Sequence, residues 1–191
     1  MKYKAILLFG APGSGKGTQG KILGTIPGFQ HFACGDVFRS LDLTSPIGMA
    51  FLEYSSKGAL VPDDITIDLW SQQIEKMVTT GRFKPDKDRL ILDGIPRNRH
   101  QARMLADRLD ILKVVHLTCS DKQQLYDRIK RRALKENRID DANDETIRQR
   151  QLTYENETKP VLDFYGPELI VHIESSQPPH HVTRDILSHI D

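Results

Sequence analysis

The sequence predicts an α/β fold, a five-stranded parallel sheet between layers of helix, and three observations predict it. Apolar runs of strand length recur at residues 5–9, 29–32, 89–92, 112–117 and 169–173. Segments of helical period separate them, and that alternation builds a parallel sheet with helices on both faces. Gly, Asp and Arg gather just after the first three runs. In open parallel sheets, ligands collect there, beyond the carboxyl ends of the strands.

At 191 residues the chain supports one packed core, and a single domain over 1–191 is expected. The 27 Lys and Arg nearly cancel the 26 Asp and Glu, so the total charge points to neither nucleic acid nor a membrane surface. Any electrostatic function must come from local clustering. The apolar start at residues 1–9 is too short for a signal peptide or a span, and no later stretch is long enough. A cytoplasmic protein, monomeric, is the expectation. Cys34 and Cys119 are the only cysteines, too few for a disulfide framework or a cysteine-rich zinc site, and both are expected reduced.

The first strand runs into Gly10-Ala11-Pro12-Gly13-Ser14-Gly15-Lys16-Gly17-Thr18, which opens a helical pattern. A glycine-rich loop in that context wraps its N–H groups around phosphate oxygens, and the following helix adds its positive end. Lys16 supplies a point charge for the outer phosphates. The loop residues Gly13, Ser14, Gly15, Gly17 and Thr18 complete the cradle. Departing from the general form of the motif, the hydroxyl residue Thr18 stands one place later, with Gly17 directly after Lys16.

Two stretches break the alternation. Residues 36–80 run helically without a strand, punctuated at Ser45-Pro46, Lys57-Gly58 and Val61-Pro62, and read as a helical insertion that caps the site. Residues 133–143 form a polar connection between two charged helices and read as a short mobile flap. Asp93 closes the third strand beside the phosphate loop, a position that suits an outer-shell magnesium partner, and Arg97 after it suits a bidentate grip on phosphate. Arg128 and Arg132 lie one helical turn apart on one face; Arg138 and Arg150 follow.

These segments together resemble the nucleoside monophosphate kinases, and within them the adenylate kinases of the short-lid form. The Lys16-Gly17-Thr18 ending is the family's. Gly35-Asp36 with Arg39 resembles the Ser-Thr-Gly-Asp motif and its downstream Arg, with Ala33 and Cys34 in the Ser and Thr positions. Asp93-Gly94-Ile95-Pro96-Arg97 resembles Asp-Gly-Phe-Pro-Arg, with Ile95 for Phe. Gln101 stands where the family reads adenine through a side-chain amide, and pyrimidine kinases of the fold carry Asn there. Leu60-Val61-Pro62, preceded by Ala59, resembles the backbone wall of the acceptor base.

The resemblance implies a P-loop three-layer fold with a nucleoside monophosphate-binding insertion at about 33–62 and a short lid at about 132–143. It implies reversible transfer of the terminal phosphoryl group of ATP to AMP, giving two ADP, with magnesium on ATP and Asp93 reaching it through water. ATP would lie on residues 13–18 with Arg128, Arg132 and the backbone near Gln177. AMP would contact Cys34, Arg39, Ala59, Leu60, Val61, Gly94, Ile95, Pro96, Arg97, Gln101, Arg138 and Arg150. Lys16, Arg97, Arg128, Arg132, Arg138 and Arg150 would carry catalysis, with Asp140 and Asp141 holding the lid arginines. The flap contains neither Cys nor His, so the zinc-bearing long-lid form is excluded and no zinc is expected.

A UMP/CMP kinase of the same fold is the rival, helped by Cys34 and Asn98 and opposed by Gln101. A non-catalytic ATP sensor is opposed by the second set of phosphate-gripping arginines. Trp70 reads as packing, and His180-His181 as a surface loop and helix start rather than a metal site.

Overall fold

The structure, a computed structural model, describes residues 2–136, 138, 141 and 143–190. Strand β1 (Tyr3–Gly10) is the middle of a five-stranded sheet that also contains β2 (Phe29–Ala33), β3 (Arg89–Asp93), β4 (Leu109–Thr118) and β5 (Ile170–Glu174). The order is β2-β3-β1-β4-β5 and every pairing is parallel. All five strands coincide with the apolar runs, most of them extended by a residue or more. A strand buried on both faces reads as a continuous apolar run, which is why residues 5–9 stand out so clearly.

The two-residue period of the strand divides the core. Ala5, Leu7 and Phe9 face one way, onto Phe32, Leu90, Leu92 and Val114 and onto helices α4 (Asp63–Thr79) and α5 (Arg99–Leu105). Ile6 and Leu8 face the other, onto α1 (Lys16–Leu23) through Leu23 and α8 (Pro179–Ile190) through Val182 and Ile186. Ala5, Ile6 and Leu7 have no exposed surface, and full burial of an Ile or Leu side chain contributes roughly 1.5–3 kcal/mol. Trp70, 1 % exposed, belongs to the α4 side of this core, in line with its reading as packing.

Between β2 and β3 the chain forms α2 (Cys34–Arg39), α3 (Pro46–Ser56) and α4, with no strand. The punctuation works as local chemistry dictates. Ser45 caps α3, its hydroxyl accepting from the Gly48 N–H at 3.1 Å, with Pro46 in the first turn. Gly58 follows the helix end in the left-handed region, φ 69°.

The second stretch differs in part from expectation. Helix α6 (Lys122–Glu136) continues through Ala133 and Leu134, which with Lys135 and Glu136 are good helix formers, so the first four residues of the stretch are helical rather than flap. Asn143 then caps α7 (Asp144–Thr153), accepting from the Thr146 N–H at 2.7 Å. Of the remaining flap residues, Asn137, Ile139, Asp140 and Ala142 lie outside the described residues, and with them the expectation for Asp140. Helix α7 is tied to the end of α3: Thr146 Oγ1 donates to the Ser56 carbonyl at 3.0 Å and Thr153 Oγ1 to that of Gly58 at 3.1 Å. Gln151 joins it to the glycine-rich loop, Nε2 donating to the Pro12 carbonyl at 3.1 Å.

Candidate active site

The carboxyl ends of β1, β2 and β3 open into a cleft of about 840 Å3. Its floor is the glycine-rich loop. Gly13 takes φ 85°, and a Cβ there would stand 2.5 Å from the Leu125 carbonyl, so this position is barred to a side chain by conformation and by the approach of α6. Lys16 Nζ donates to the carbonyls of Gly10 at 2.6 Å and Ala11 at 3.2 Å. Desolvation lowers its pKa to about 8, the nearby Arg97, Arg132 and Arg150 adding to the effect and Asp93 opposing it. Crowding one ammonium among guanidinium groups is costly unless anions are to be held there.

The cleft collects charge that the chain as a whole lacks. Among the described residues its lining carries ten basic side chains but only three acidic ones, Asp36, Asp93 and Glu136, in a chain of net charge +1. The basic groups are held from behind. Arg39 Nη2 donates to Asp36 Oδ1 at 2.6 Å, and Arg138 Nη2 lies 3.8 Å from the same oxygen. Burial would raise the Asp36 carboxyl, but the Arg39 hydrogen bond and the charges of Arg39, Lys21 and Arg138 outweigh it and keep the pKa below its ordinary value. Arg138 Nε donates to Glu136 at 2.6 Å. Arg97 Nε donates to the Gly94 carbonyl at 3.0 Å across a turn whose Ile95–Pro96 peptide is cis, and Arg128 Nη2 to the Ser175 carbonyl at 2.9 Å.

Nearly all the residues singled out in the sequence line this one cleft: residues 13–18 of the loop, Cys34, Arg39, Ala59, Leu60, Val61, Asp93, Gly94, Pro96, Arg97, Gln101, Arg128, Arg132, Arg138 and Arg150. Two do not. Ile95, 2 % exposed, packs into the core with Leu92 and Ala102, as its apolar side chain demands. The Gln177 side chain turns away, Nε2 donating to the Glu174 carbonyl at 3.0 Å and to Asp185 at 2.7 Å, while Ser175 and Pro179 beside it reach the cleft. Cys34 lies at the start of α2, and burial pushes its thiol up to about 11.

Other lining residues were missed. Arg131 and Lys135 extend the basic face of α6 and could have been found from their spacing with Arg128. Tyr154 gave no sequence signal. It lines the cleft with its hydroxyl 2.9 Å from Nε2 of His116, whose Nδ1 in turn lies 3.0 Å from His172 Nδ1. Burial lowers the His116 pKa to about 4, assisted by His172 and Lys159, so the ring is neutral near pH 7. Asn98, which supports the pyrimidine rival in the sequence, serves as the cap of α5: its Oδ1 accepts from the Gln101 N–H at 2.8 Å.

Asp93, at the end of β3 beside Leu8, has Oδ2 3.6 Å from where a Cβ on Gly17 would stand. No group of three or more His, Cys, Asp or Glu capable of holding a metal occurs among the described residues. A lone carboxylate facing a phosphate loop suits magnesium, which keeps waters and substrate phosphates rather than a protein cage.

Comparison with known proteins joins this geometry to a family. The family model for adenylate kinase matches residues 8–169. The chain belongs to the adenylate kinase family. An adenylate kinase of Porphyromonas gingivalis is 36 % identical to this family member over 172 residues, 87 % of this chain and 84 % of the relative. One of Cyanothece sp. is 35 % identical over 97 % of this chain and 94 % of its own, and one of Corynebacterium glutamicum is 35 % identical over 86 % and 87 %. As a member of the adenylate kinase family, the chain is a phosphotransferase. No helix among its described residues is long and apolar enough to cross a membrane.

Proposed function

We propose that this family member transfers the terminal phosphoryl group of ATP to AMP, reversibly, giving two ADP, as an ATP:AMP phosphotransferase. The observation that carries the reading is the continuity of the cleft: a phosphate loop and a second arginine set, Arg39, Arg97, Arg138 and Arg150, line the same cavity. A protein that only sensed ATP would need the first and not the second.

Phosphoryl transfer demands positioning and charge neutralisation rather than covalent chemistry from the protein. ATP lies along residues 13–18, its outer phosphates met by Lys16, Arg128 and Arg132. AMP lies under the helices of the insertion, residues 33–62, against Cys34, Ala59, Leu60 and Val61, with Gln101 reading its base. Arg39, Arg97, Arg138 and Arg150 hold its phosphate and fix its attacking oxygen in line. Lys16 and the arginines neutralise charge on the moving group, and in a water-excluded site each such donor lowers the barrier by about 3 kcal/mol. Asp93 would hold magnesium through water, and the metal would supply charge neutralisation across the phosphate oxygens of ATP. Residues 132–143 serve as the lid; lid closure is a property of the family at large, and it would keep water from taking the phosphoryl group.

The decisive experiment is an acceptor panel with ATP as donor. ADP formation with AMP, exceeding that with UMP and CMP, is the expected result. Tight ATP binding with no transfer to any monophosphate would instead favour a sensor.

A further inference from the structure

Asp63 opens α4 and lies 38 positions from Gln101, yet its Oδ1 accepts from Gln101 Nε2 at 2.8 Å. The same oxygen accepts from Asn98 Nδ2 at 2.8 Å, and Oδ2 lies 2.9 Å from His100 Nδ1. The other end of the Gln101 amide is also held: Oε1 accepts from the Arg97 backbone N–H at 2.7 Å.

These two partners determine which way the amide faces. A backbone N–H can only donate, and an ionised carboxylate can only accept. Burial pushes the Asp63 carboxyl upward, but hydrogen bonds from Asn98, His100 and Gln101 outweigh it and hold the pKa below its ordinary value. The group is therefore ionised near pH 7. Turning the amide over would set oxygen against carboxylate and nitrogen against N–H, losing both bonds at a residue only 1 % exposed. Asn98 strengthens the arrangement, because its Oδ1 caps the helix that carries Gln101 while its Nδ2 steadies Asp63. Among the described residues, one N–H of Nε2 and one lone pair of Oε1 remain uncommitted, on a side chain that lines the cleft next to Arg97.

We infer that Asp63 is a specificity-determining positioning residue, which locks the Gln101 amide so that it accepts a base bearing an amino group beside a ring-nitrogen acceptor and rejects one bearing a carbonyl beside a ring N–H. The inference rests on the proposed acceptor site and sharpens it. Adenine has the matching edge; hypoxanthine, with the same ring skeleton, has the reverse edge. A freely turning amide would serve both. This one serves the first, and a mismatched base leaves buried polar groups unpaired.

The test compares AMP with IMP as acceptors, ATP being the donor. The unmodified protein is expected to prefer AMP by at least about 10²-fold in kcat/KM. Asp63→Asn keeps the shape but can offer Gln101 either an oxygen or an amide nitrogen. It should lower that preference by about tenfold or more, through a higher KM for AMP and a gain with IMP, while the KM for ATP moves less than about twofold. In a Gln101→Ala background the same change should leave the preference where it was, since no amide remains to be oriented. An equal loss on both acceptors, a further drop in the Gln101→Ala background, or an unmodified protein that does not distinguish AMP from IMP overturns the inference. The last outcome needs no variant to fold. A protein that phosphorylates neither acceptor would sink the proposed function itself, a result distinct from all of these.

Discussion

Arg132 donates twice to one oxygen of Asp141, from Nε at 3.1 Å and Nη2 at 2.6 Å, while Arg150 bonds the other oxygen. The Asp141 side chain has no exposed surface, so a single buried carboxylate joins α6 to α7 by bridging two cleft arginines. Replacing it by Asn removes the buried negative charge that both guanidinium groups share. Breaking a buried pair in this way costs about 3–5 kcal/mol, and the partial exposure of both arginines puts the expected loss near 3. For a chain of this length that lowers the thermal midpoint by about 6–12 °C. Calorimetry of Asp141→Asn checks it, and a shift below about 2 °C would show that Asp141 does not anchor the two helices.

The Arg97 side chain has one hydrogen bond among the described residues, to the Gly94 carbonyl at the foot of its own turn. Its removal should therefore disturb the fold little and the reaction severely. Arg97→Ala is expected to lose about 10²–10³-fold in kcat/KM for AMP with a midpoint within a few degrees of the parent. Near-normal turnover would remove Arg97 from the mechanism.

The depressed pKa of Lys16, about 8, makes nucleotide binding depend on pH. Phosphate requires the ammonium form, which predominates below pH 8. ATP affinity should be flat with respect to this group below pH 8 and fall toward tenfold per unit above it. Folding responds with the opposite sign. The unfolded chain holds this proton up to the ordinary lysine value of 10.5, so the Lys16 contribution to stability rises with pH between about 8 and 10.5. Titration calorimetry from pH 7 to 9.5 tests the first statement, and Lys16→Met should bind more weakly with the step above pH 8 abolished.

Cys34 and Cys119 are both free thiols, but only Cys34 is buried. With its pKa near 11, about one Cys34 in a thousand is thiolate at pH 8, and the thiolate is the reactive form. Timed alkylation with iodoacetamide, followed by peptide mass mapping, should label Cys119 well before Cys34. AMP should slow Cys34 further. Early labelling of Cys34 would contradict its burial. The same raised pKa makes Cys34 lose stability as pH climbs from about 9 to 11, because the folded state retains the proton longer than the unfolded one.

How much of this could be read from the sequence follows from how local each determinant is. The strands were legible because burial on both faces requires unbroken apolar runs. The Ser45 cap and the Gly58 helix end were legible because their chemistry acts within a few residues. The motif position of Ile95 could not show that its side chain packs into the core rather than lining the cleft. Tyr154 was missed because its reason for lining the cleft is a bond to His116, 38 residues away.

By itself the sequence determined the phosphate loop, the five strands and the basic residues that serve the cleft, since backbone conformation, strand burial and side-chain charge are written residue by residue. Only the tertiary structure decided the strand order β2-β3-β1-β4-β5, the sharing of Asp141 by Arg132 and Arg150, and the locking of Gln101 by Asp63. Each depends on groups far apart in the chain, and spacing along a chain does not encode which distant carboxylate a buried amide or guanidinium will meet. Packing against the sheet brings them within hydrogen-bond reach, and there their donor and acceptor chemistry selects the pairing.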